Sequence, residues 1–227
     1  MILYDSNKLS RLRHRFPLSE TIKKNYSQAY QDMFVLSMLN GKKNGTYLEI
    51  GAMDAIFVNN TYLLESQFDW KGLSIDISPS SKTSFVNRIN PIIIEDALKL
   101  NYENILQENN FGHQIDYLSL DIEPMTQTLE CLKCLPLDKY RFSVITYETD
   151  FYDQSVSRET AFAVRNESRE IFKSHGYQLV VGNIANTSTE DIFEDWYVDP
   201  KVISSELLNI FQDTSEFNNT SEKYMLV

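Results

Sequence analysis

Acidic residues stand at the ends of several apolar segments in this 227-residue sequence. Charged side chains are rarely buried without a partner, so acids that terminate apolar strands indicate a binding or catalytic site. Ligands of open α/β sheets bind beyond the carboxyl ends of the strands, so these carboxylates are predicted to share a cleft. In a second interpretation, they cap neighbouring helices or pair with Arg141 or Lys139. The strand-end acids are Glu49, Asp76, Asp96, Asp121, Glu123 and Glu148.

The residues around the first of these acids favour a positively charged ligand. Gly51 and Ala52 are small, so the chain can turn sharply there and a ligand can approach the backbone. The segment lacks the second and third glycines of the GxGxxG fingerprint and offers a poor seat for a dinucleotide pyrophosphate. Glu49 and Asp54 would repel a pyrophosphate but would suit an ammonium or sulfonium group. A loop with ordinary surface acids is the alternative interpretation.

Asp76 and Asp96 are spaced as if to bind a nucleoside. Asp76 lies 27 residues after Glu49, near the spacing of roughly 20 residues for the acid that binds ribose in dinucleotide folds. A carboxylate accepts two hydrogen bonds and can hold both hydroxyls of one ribose. The next strand ends at Asp96, which is followed by Ala97. The Asp96 carboxylate can accept a hydrogen bond from an adenine amino group.

These residues must be positioned by alternating strands and helices, which predict an α/β sandwich with a mostly parallel sheet. Nearly continuous apolar runs are typical of strands that are buried on both faces. The predicted strands are 46–51, 72–77, 91–95, 115–121, 142–148, 177–182 and roughly 193–198. The predicted helices are 27–39 with Ser27 as N-cap, 60–68, 80–88, 101–108, 125–133, and one through 161–172 that ends at Gly176.

The length predicts one main domain. We assign residues 1–25 to an N-terminal extension, 26–212 to the domain and 213–227 to a C-terminal tail. The Asn-, Ser- and Thr-rich segment 213–222 predicts a loose chain.

The charge balance disfavours nucleic-acid partners. The formal net charge is −11, from 21 Lys and Arg against 32 Asp and Glu, so there is no general attraction to a phosphate backbone. The one basic run is interpreted as a solvated N-terminal face. It contains Lys8, Arg11, Arg13 and Arg15.

Several patterns predict a cytoplasmic protein without a membrane span. No segment approaches 18 consecutive apolar residues, and residues 1–15 lack the apolar region of a secretory signal. Cys131 and Cys134 have CxxC spacing but no further pair of ligands for zinc. We interpret them as reduced thiols on a helix.

Six motifs along the chain form a recognisable set, and they are YSQ at 26–28 with QD at 31–32, YLEIGA at 47–52, NTYLLE at 60–65, WKGL at 70–73, YLSLDIE at 117–123 and DWYV at 195–198. Taken together, these motifs resemble the FkbM family of S-adenosylmethionine (SAM)-dependent methyltransferases over residues 26–200. Three departures from the family pattern are Ala55 in place of glycine, Asp76-Ile77 in place of Glu-Pro, and Pro124 in place of glycine.

The resemblance implies a Rossmann-like class I methyltransferase fold. Its sheet would have seven mostly parallel strands that end in an antiparallel hairpin, with helices on both faces. It also implies methyl transfer from SAM to a hydroxyl, often on a sugar or glycan. In the implied cofactor site, Glu49, Gly51 and Asp54 lie near the methionine, Asp76 and Ile77 near the ribose, Asp96 and Ala97 near the adenine, Gln28 covers the site and Asn60 adds a polar contact.

The fourth strand faces the methyl group in this fold, so Asp121 is the candidate general base. Glu123 and Glu148 are interpreted as neighbours that tune it or bind the acceptor, because clustered acids raise the pKa of one member. His175 is a second candidate base, although a capping role before Gly176 is favoured. We assign no metal ligand, and Mg²⁺ on the same acids is the less favoured alternative.

Other functions remain open at this stage. A nicotinamide-dependent oxidoreductase is disfavoured by the missing glycines. A protein or lipid acceptor, or a non-catalytic module that retains the fold, is compatible with the same residues. The oligomeric state and the methylated position do not follow from the sequence.

Overall fold

A sheet of eight strands forms the centre of the structure, a computed structural model that describes residues 11–186, 189–211 and 219–226. The strands are β1 (Thr46–Ile50), β2 (Lys71–Asp76), β3 (Ile92–Ile94), β4 (Gln114–Leu120), β5 (Arg141–Glu148), β6 (Gln178–Ala185), β7 (Ile192–Val198) and β8 (Asn219–Thr220). Their order across the sheet is β3-β2-β1-β4-β5-β7-β6-β8.

The sheet confirms the predicted topology. Strands β1 to β5 pair in parallel, and β7 lies antiparallel between β5 and β6. The two-residue β8 adds an eighth strand, parallel to β6, that the sequence analysis did not predict. The order reverses between β1 and β4, and such a reversal opens a crevice at the carboxyl ends of the strands.

Helices flank the sheet; those at Ser205–Phe211 and Ser221–Met225 were not predicted, and two of the predicted ones differ clearly in extent. The first begins at Gln31 rather than at Ser27, because Tyr30 takes a left-handed conformation with φ 66°. The predicted 80–88 helix ends early and continues as a 3₁₀ turn at Phe85–Asn87. The helices are α1 (Gln31–Met38), α2 (Tyr62–Phe68), α3 (Pro79–Ser84), α4 (Tyr102–Glu108), α5 (Met125–Cys134), α6 (Arg158–Ser174), α7 (Ser205–Phe211) and α8 (Ser221–Met225).

Apolar side chains fill both faces of the sheet, because alternate residues of a strand point to opposite sides. On β1, Tyr47 belongs to the core beneath α1, α2, α7 and α8, whereas Leu48 belongs to the core beneath α4, α5 and α6. Tyr117 and Leu118 divide in the same way on β4. The helices therefore cover both faces, as expected for a mostly parallel sheet.

Segments near both ends of the chain join the first of these cores. Leu12 and Leu226 are buried and form an antiparallel bridge. Arg13, part of the basic run interpreted as a solvated face, donates from Nε to the Tyr224 carbonyl at 2.5 Å. Residues 219–222 of the predicted loose tail form β8 and the start of α8, while 213–218 and Lys8 lie outside the described residues. The domain boundaries themselves stay a prediction.

Within the described part of the chain, no helix combines the length and apolar character needed to cross a membrane.

Candidate active site

A cavity of about 620 Å³ lies at the carboxyl ends of strands β1 to β5, where the strand order reverses. It collects nearly all of the predicted site residues. Asp54 is the exception, since its Oδ1 accepts hydrogen bonds from the backbone of Ile56 and Phe57 in the loop after β1. The predicted residues that line the cavity are Gln28, Glu49, Gly51, Asn60, Asp76, Ile77, Asp96, Ala97, Asp121, Glu123 and Glu148.

Gly51 brings the ends of β1 and β4 into contact. Its φ is +90°, and a Cβ at this position would lie 1.6 Å from the carbonyl oxygen of Asp121. The backbone N–H of Asp121 donates to the carbonyl of Ile50 at 2.9 Å. The sequence predicted a sharp turn at Gly51 and the approach of a ligand to its backbone. The positive φ agrees with the turn, and the group that approaches in the structure is the carbonyl of Asp121.

Glu49 is buried at the floor of the cavity, with 2 % of its surface exposed. Its Oε2 accepts hydrogen bonds from the hydroxyls of Ser74 at 2.6 Å and Thr61 at 3.0 Å. Burial raises the pKa of Glu49, and the nearby positive charge of Arg88 acts in the opposite direction. The two hydroxyl donors and the charge of Arg88 thus partly offset the effect of burial on Glu49.

Arg88, which follows the 3₁₀ turn after α3, is the centre of a hydrogen-bond network beside Glu49, at the ends of β1 and β2. The Arg88 side chain forms an ion pair with Glu65 and is 2 % exposed. Sequence reasoning missed it, although a single arginine between acid-ended strands in a chain of net charge −11 was an available signal. It donates to Glu65 Oε2 (2.8 Å), Tyr47 OH (3.0 Å), Thr61 Oγ1 (3.0 Å), the Ala55 carbonyl (2.7 Å) and Asn59 Oδ1 (3.2 Å).

Backbone N–H groups hold Asp76 at the end of β2. Its Oδ2 accepts from Met53 and its Oδ1 from Ser78, both at 2.7 Å. Each carboxylate oxygen can accept further hydrogen bonds. The arrangement is therefore compatible with an acceptor of ligand hydroxyls at the cavity wall.

Asp96 and Asn60 line the cavity at two other positions. Asp96 caps a 3₁₀ turn through the N–H of Leu98 at 3.0 Å, and this hydrogen bond lowers the pKa of its carboxyl. Asn60 donates to Ser119 Oγ at 2.9 Å, while its Oδ1 is buried and has no hydrogen-bond partner among the described residues. A buried acceptor without a partner is costly, so Asn60 Oδ1 suits a donor group from a ligand.

The ends of β4, β5 and β7 bring acidic side chains together. Glu148 and Glu194 stand opposite each other across β5 and β7, where two like charges would be destabilising. Glu148 is also hydrogen-bonded to Asp121. Burial raises the pKa of Glu148 far above its usual range, and the negative charge of Asp121 raises it further.

Of this carboxyl pair, Glu148 has the more strongly raised pKa. Burial also raises the pKa of Asp121, but the hydrogen bond that it receives from Glu148 lowers it. These directions favour Glu148 as the proton donor of the pair and Asp121 as the acceptor.

Two further acids that sequence reasoning missed complete the cluster. Burial and the charge of Asp121 raise the pKa of Asp150 to about 7. Burial raises the pKa of Glu194 to about 8, although its Oε2 accepts a hydrogen bond from Trp196 Nε1 at 2.5 Å. An acid inside the otherwise apolar closing strand was the available signal for Glu194.

The lining of the cavity is rich in acidic side chains. None of the described residues that line it is Lys, Arg or His. Within the described chain, no three His, Cys, Asp or Glu side chains are grouped to hold a metal ion. The acids that line the cavity are Glu49, Asp76, Glu95, Asp96, Asp121, Glu123, Glu148 and Asp191.

His175 and the cysteines lie outside this lining. His175 occupies the C-cap of α6, and its Nδ1 lies 2.8 Å from the carbonyl of Ile171, next to Gly176 with φ +78°. Cys131 is buried on α5 beside the hydroxyl of Tyr102, and Cys134 is exposed. Both cysteines are free thiols.

No family model matches the chain, and no curated protein matches its sequence. Solved structures do match its fold. An O-methyltransferase from Bacillus cereus in complex with S-adenosylhomocysteine (SAH) is 14 % identical, with 75 % of this chain and 80 % of that chain covered and a TM-score of 0.51.

Two other structures give the same result. The SAH-bound methyltransferase PaMTH1 from Podospora anserina is 12 % identical, with 81 % of this chain and 82 % of that chain covered and a TM-score of 0.50. A fibrillarin–Nop5p complex is 14 % identical over 76 % of this chain and 81 % of that chain, with a TM-score of 0.51. The chain thus has the Rossmann-like fold of methyltransferases, and at these identities the likeness establishes the fold alone.

Proposed function

We propose that the protein is a SAM-dependent O-methyltransferase of the FkbM type that acts on a hydroxyl of a sugar or glycan. The observation that carries this proposal is the cavity at the β1/β4 reversal, with eight acidic side chains and no basic one among its described lining residues. Such a lining suits a sulfonium nucleoside and repels the pyrophosphate of a nicotinamide dinucleotide. The motifs over residues 26–200 support the assignment to the FkbM type.

The residues present fit this cofactor. Glu49, the backbone at Gly51 and the unpartnered Oδ1 of Asn60 would hold the methionine part, whose ammonium group is a donor. Asp76 with Ile77 would hold the ribose, and Asp96 with Ala97 the adenine. Gln28 is exposed at the cavity and would cover it. Asp54 is the one predicted site residue that does not line the cavity.

The acid cluster supplies the proton chemistry. When bound, SAM supplies a methyl group on a positively charged sulfur that leaves as a neutral thioether. Asp121 accepts the proton of the acceptor hydroxyl as the oxygen–methyl bond forms and the sulfur–methyl bond breaks. Glu148 keeps its own proton and donates to Asp121, which orients the base. Glu123 is exposed at the cavity and is placed to contact the acceptor.

Separate binding and transfer measurements test the proposal. We expect SAH to bind in calorimetry, NAD to show no binding, and Asp76→Ala to weaken SAH binding by roughly 10- to 100-fold through loss of a charge-assisted contact. We expect Asp121→Asn to lower methyl transfer from labelled SAM to glycans by about 10²- to 10⁴-fold while SAH affinity is kept.

Asp138→Asn is the matched control, since its carboxylate is 93 % exposed outside the cavity. NAD binding in preference to SAH would contradict the cofactor assignment. Wild-type turnover in Asp121→Asn would contradict the catalytic assignment, and SAH binding without transfer to any acceptor would favour a non-catalytic module.

We further propose that the protein acts in the cytoplasm on a small molecule or glycan rather than on nucleic acid. The free thiols of Cys131 and Cys134 support a reducing compartment. The net charge of −11 and the acidic cavity support an acceptor without a phosphate backbone.

A further inference from the structure

A second cavity, of about 420 Å³, adjoins the first. It lies between the loop that follows β5 and the loop that joins β6 to β7. Tyr152 and Asp191 line both cavities, so the two spaces share a wall. The residues that line it are Phe151, Tyr152, Asp153, Gln154, Val156, Arg158, Glu190, Asp191 and Ile192.

The second cavity is also predominantly acidic. Asp153, Glu190 and Asp191 contribute three carboxylates, and Arg158 is the one basic side chain among its described lining residues. Arg158 is already engaged, since its Nη1 donates to the carbonyl of Phe151 at 2.6 Å and its guanidinium lies 4.8 Å from the centre of the Phe151 ring. The arginine is therefore held against the loop.

The acid cluster of the first cavity adds to this field. The phenol of Tyr152 lies near Asp150, and Asp150 lies near Glu148, so that each of these groups affects the pKa of its neighbour. A chain of acidic groups therefore leads from the shared wall to Asp121. A phosphorylated molecule in the second cavity would face the carboxylates of Asp153, Glu190 and Asp191 at short range, whereas a cation would be attracted to them.

We infer that the second cavity is the acceptor subsite and that its carboxylates select a hydroxyl-rich acceptor with an ammonium group, such as an amino sugar, over a phosphorylated one. The inference rests on the proposed function. Asp191 and Glu190 pair with the ammonium group, and the ring of Tyr152, which is 41 % exposed, offers a face for the sugar and its cation. An acceptor held there has its hydroxyls beside the cavity that contains Asp121.

Calorimetry on the full chain tests this inference, with the protein both free and saturated with SAH. The probes are the glucosamine disaccharide, its N-acetylated counterpart, and glucosamine 6-phosphate. We expect the disaccharide with free amines to bind most tightly and the phosphorylated sugar most weakly. The preference for the amine should shrink as salt is added, because exposed charges are screened.

A double variant, Glu190→Gln with Asp191→Asn, locates the binding. We expect it to lose roughly tenfold in affinity for the amine disaccharide, with little change for the N-acetylated form. Glu159→Gln is the matched control, an exposed acid in the first turn of α6 that lines neither cavity. Tighter binding of the phosphorylated sugar, or amine binding that survives the double variant, would overturn the inference.

The two SAH conditions separate this inference from the proposed function. Failure of SAH to bind would contradict the cofactor assignment alone. Amine binding to the free protein that depends on Glu190 and Asp191 would still support the subsite. SAH binding together with no preference for the amine would overturn the subsite and leave the cofactor assignment standing.

Discussion

The two halves of the cleft treat buried carboxylates in opposite ways. At the ends of β1 and β2, Glu49 receives two hydroxyl hydrogen bonds and is stabilised by the charge of Arg88, which also pairs with Glu65. At the ends of β4, β5 and β7, Asp121, Glu148 and Glu194 face one another.

This difference separates binding from proton handling. A nearby cation and fixed donors favour the ionised form of a carboxylate and hold it in one geometry, as a binding group requires. Carboxyls that face each other must share protons, and their pKa values move toward the range in which a general base works. Under the proposed function, one half would hold a cation and the other would remove a proton.

The largest expected effect on stability comes from replacing Arg88, in the half of the cleft at the ends of β1 and β2. Arg88→Met removes every hydrogen bond of the guanidinium and leaves Glu65 buried without its cation, so we expect a loss of about 3–5 kcal/mol in the free energy of unfolding. Urea denaturation measures it. Arg88→Lys keeps the positive charge but not the planar guanidinium group. Its free energy of unfolding should lie between those of the wild type and Arg88→Met. A loss below about 1 kcal/mol in Arg88→Met would show that this half does not depend on its cation.

The next largest effect is a pH dependence of stability that comes from Glu194, in the half of the cleft at the ends of β4, β5 and β7. The pKa of Glu194 rises from 4.5 to about 8 on folding, so the folded state keeps a proton that the unfolded state releases in this window. Stability should therefore fall as pH rises from 4.5 to about 8.

Glu194→Gln mimics the protonated form and removes this dependence. Its free energy of unfolding should exceed that of the wild type by a few kcal/mol near pH 8, with little difference near pH 4. Denaturation curves across this range measure the gap. Curves for the two proteins that stay parallel with pH would contradict proton storage at Glu194.

The smallest effect concerns the one predicted residue outside the cavity. Asp54→Ala removes two hydrogen bonds to the exposed loop backbone, so we expect a loss of about 1 kcal/mol or less in stability and no change in SAH affinity. Calorimetry on this variant beside Asp76→Ala checks the assignment. A matching loss of SAH affinity in both variants would return Asp54 to the site.

The sequence predicted what local pattern controls. Apolar runs that end in acids located the strands. They also predicted that Glu49, Asp76 and Asp121 lie at one cleft, and all three line the same cavity. The missed features depend on the fold itself. Arg88 reaches Thr61 and Glu65 only after α3 and α2 are packed, and Glu194 meets Glu148 only because β7 inserts beside β5. Helix α1 starts late because of a backbone conformation at Tyr30 that its side chain does not suggest.

The contact of Gly51 with the carbonyl of Asp121 has a consequence for redesign. Part of the cavity floor is main chain, whose shape does not depend on which side chains surround it. The loops that carry Tyr152 and Asp191 are separate segments of sequence, so substitutions within them leave the contact between Gly51 and Asp121 in place. Under the proposed function, an engineer could therefore vary the acceptor wall while this main-chain contact in the cofactor cavity is retained.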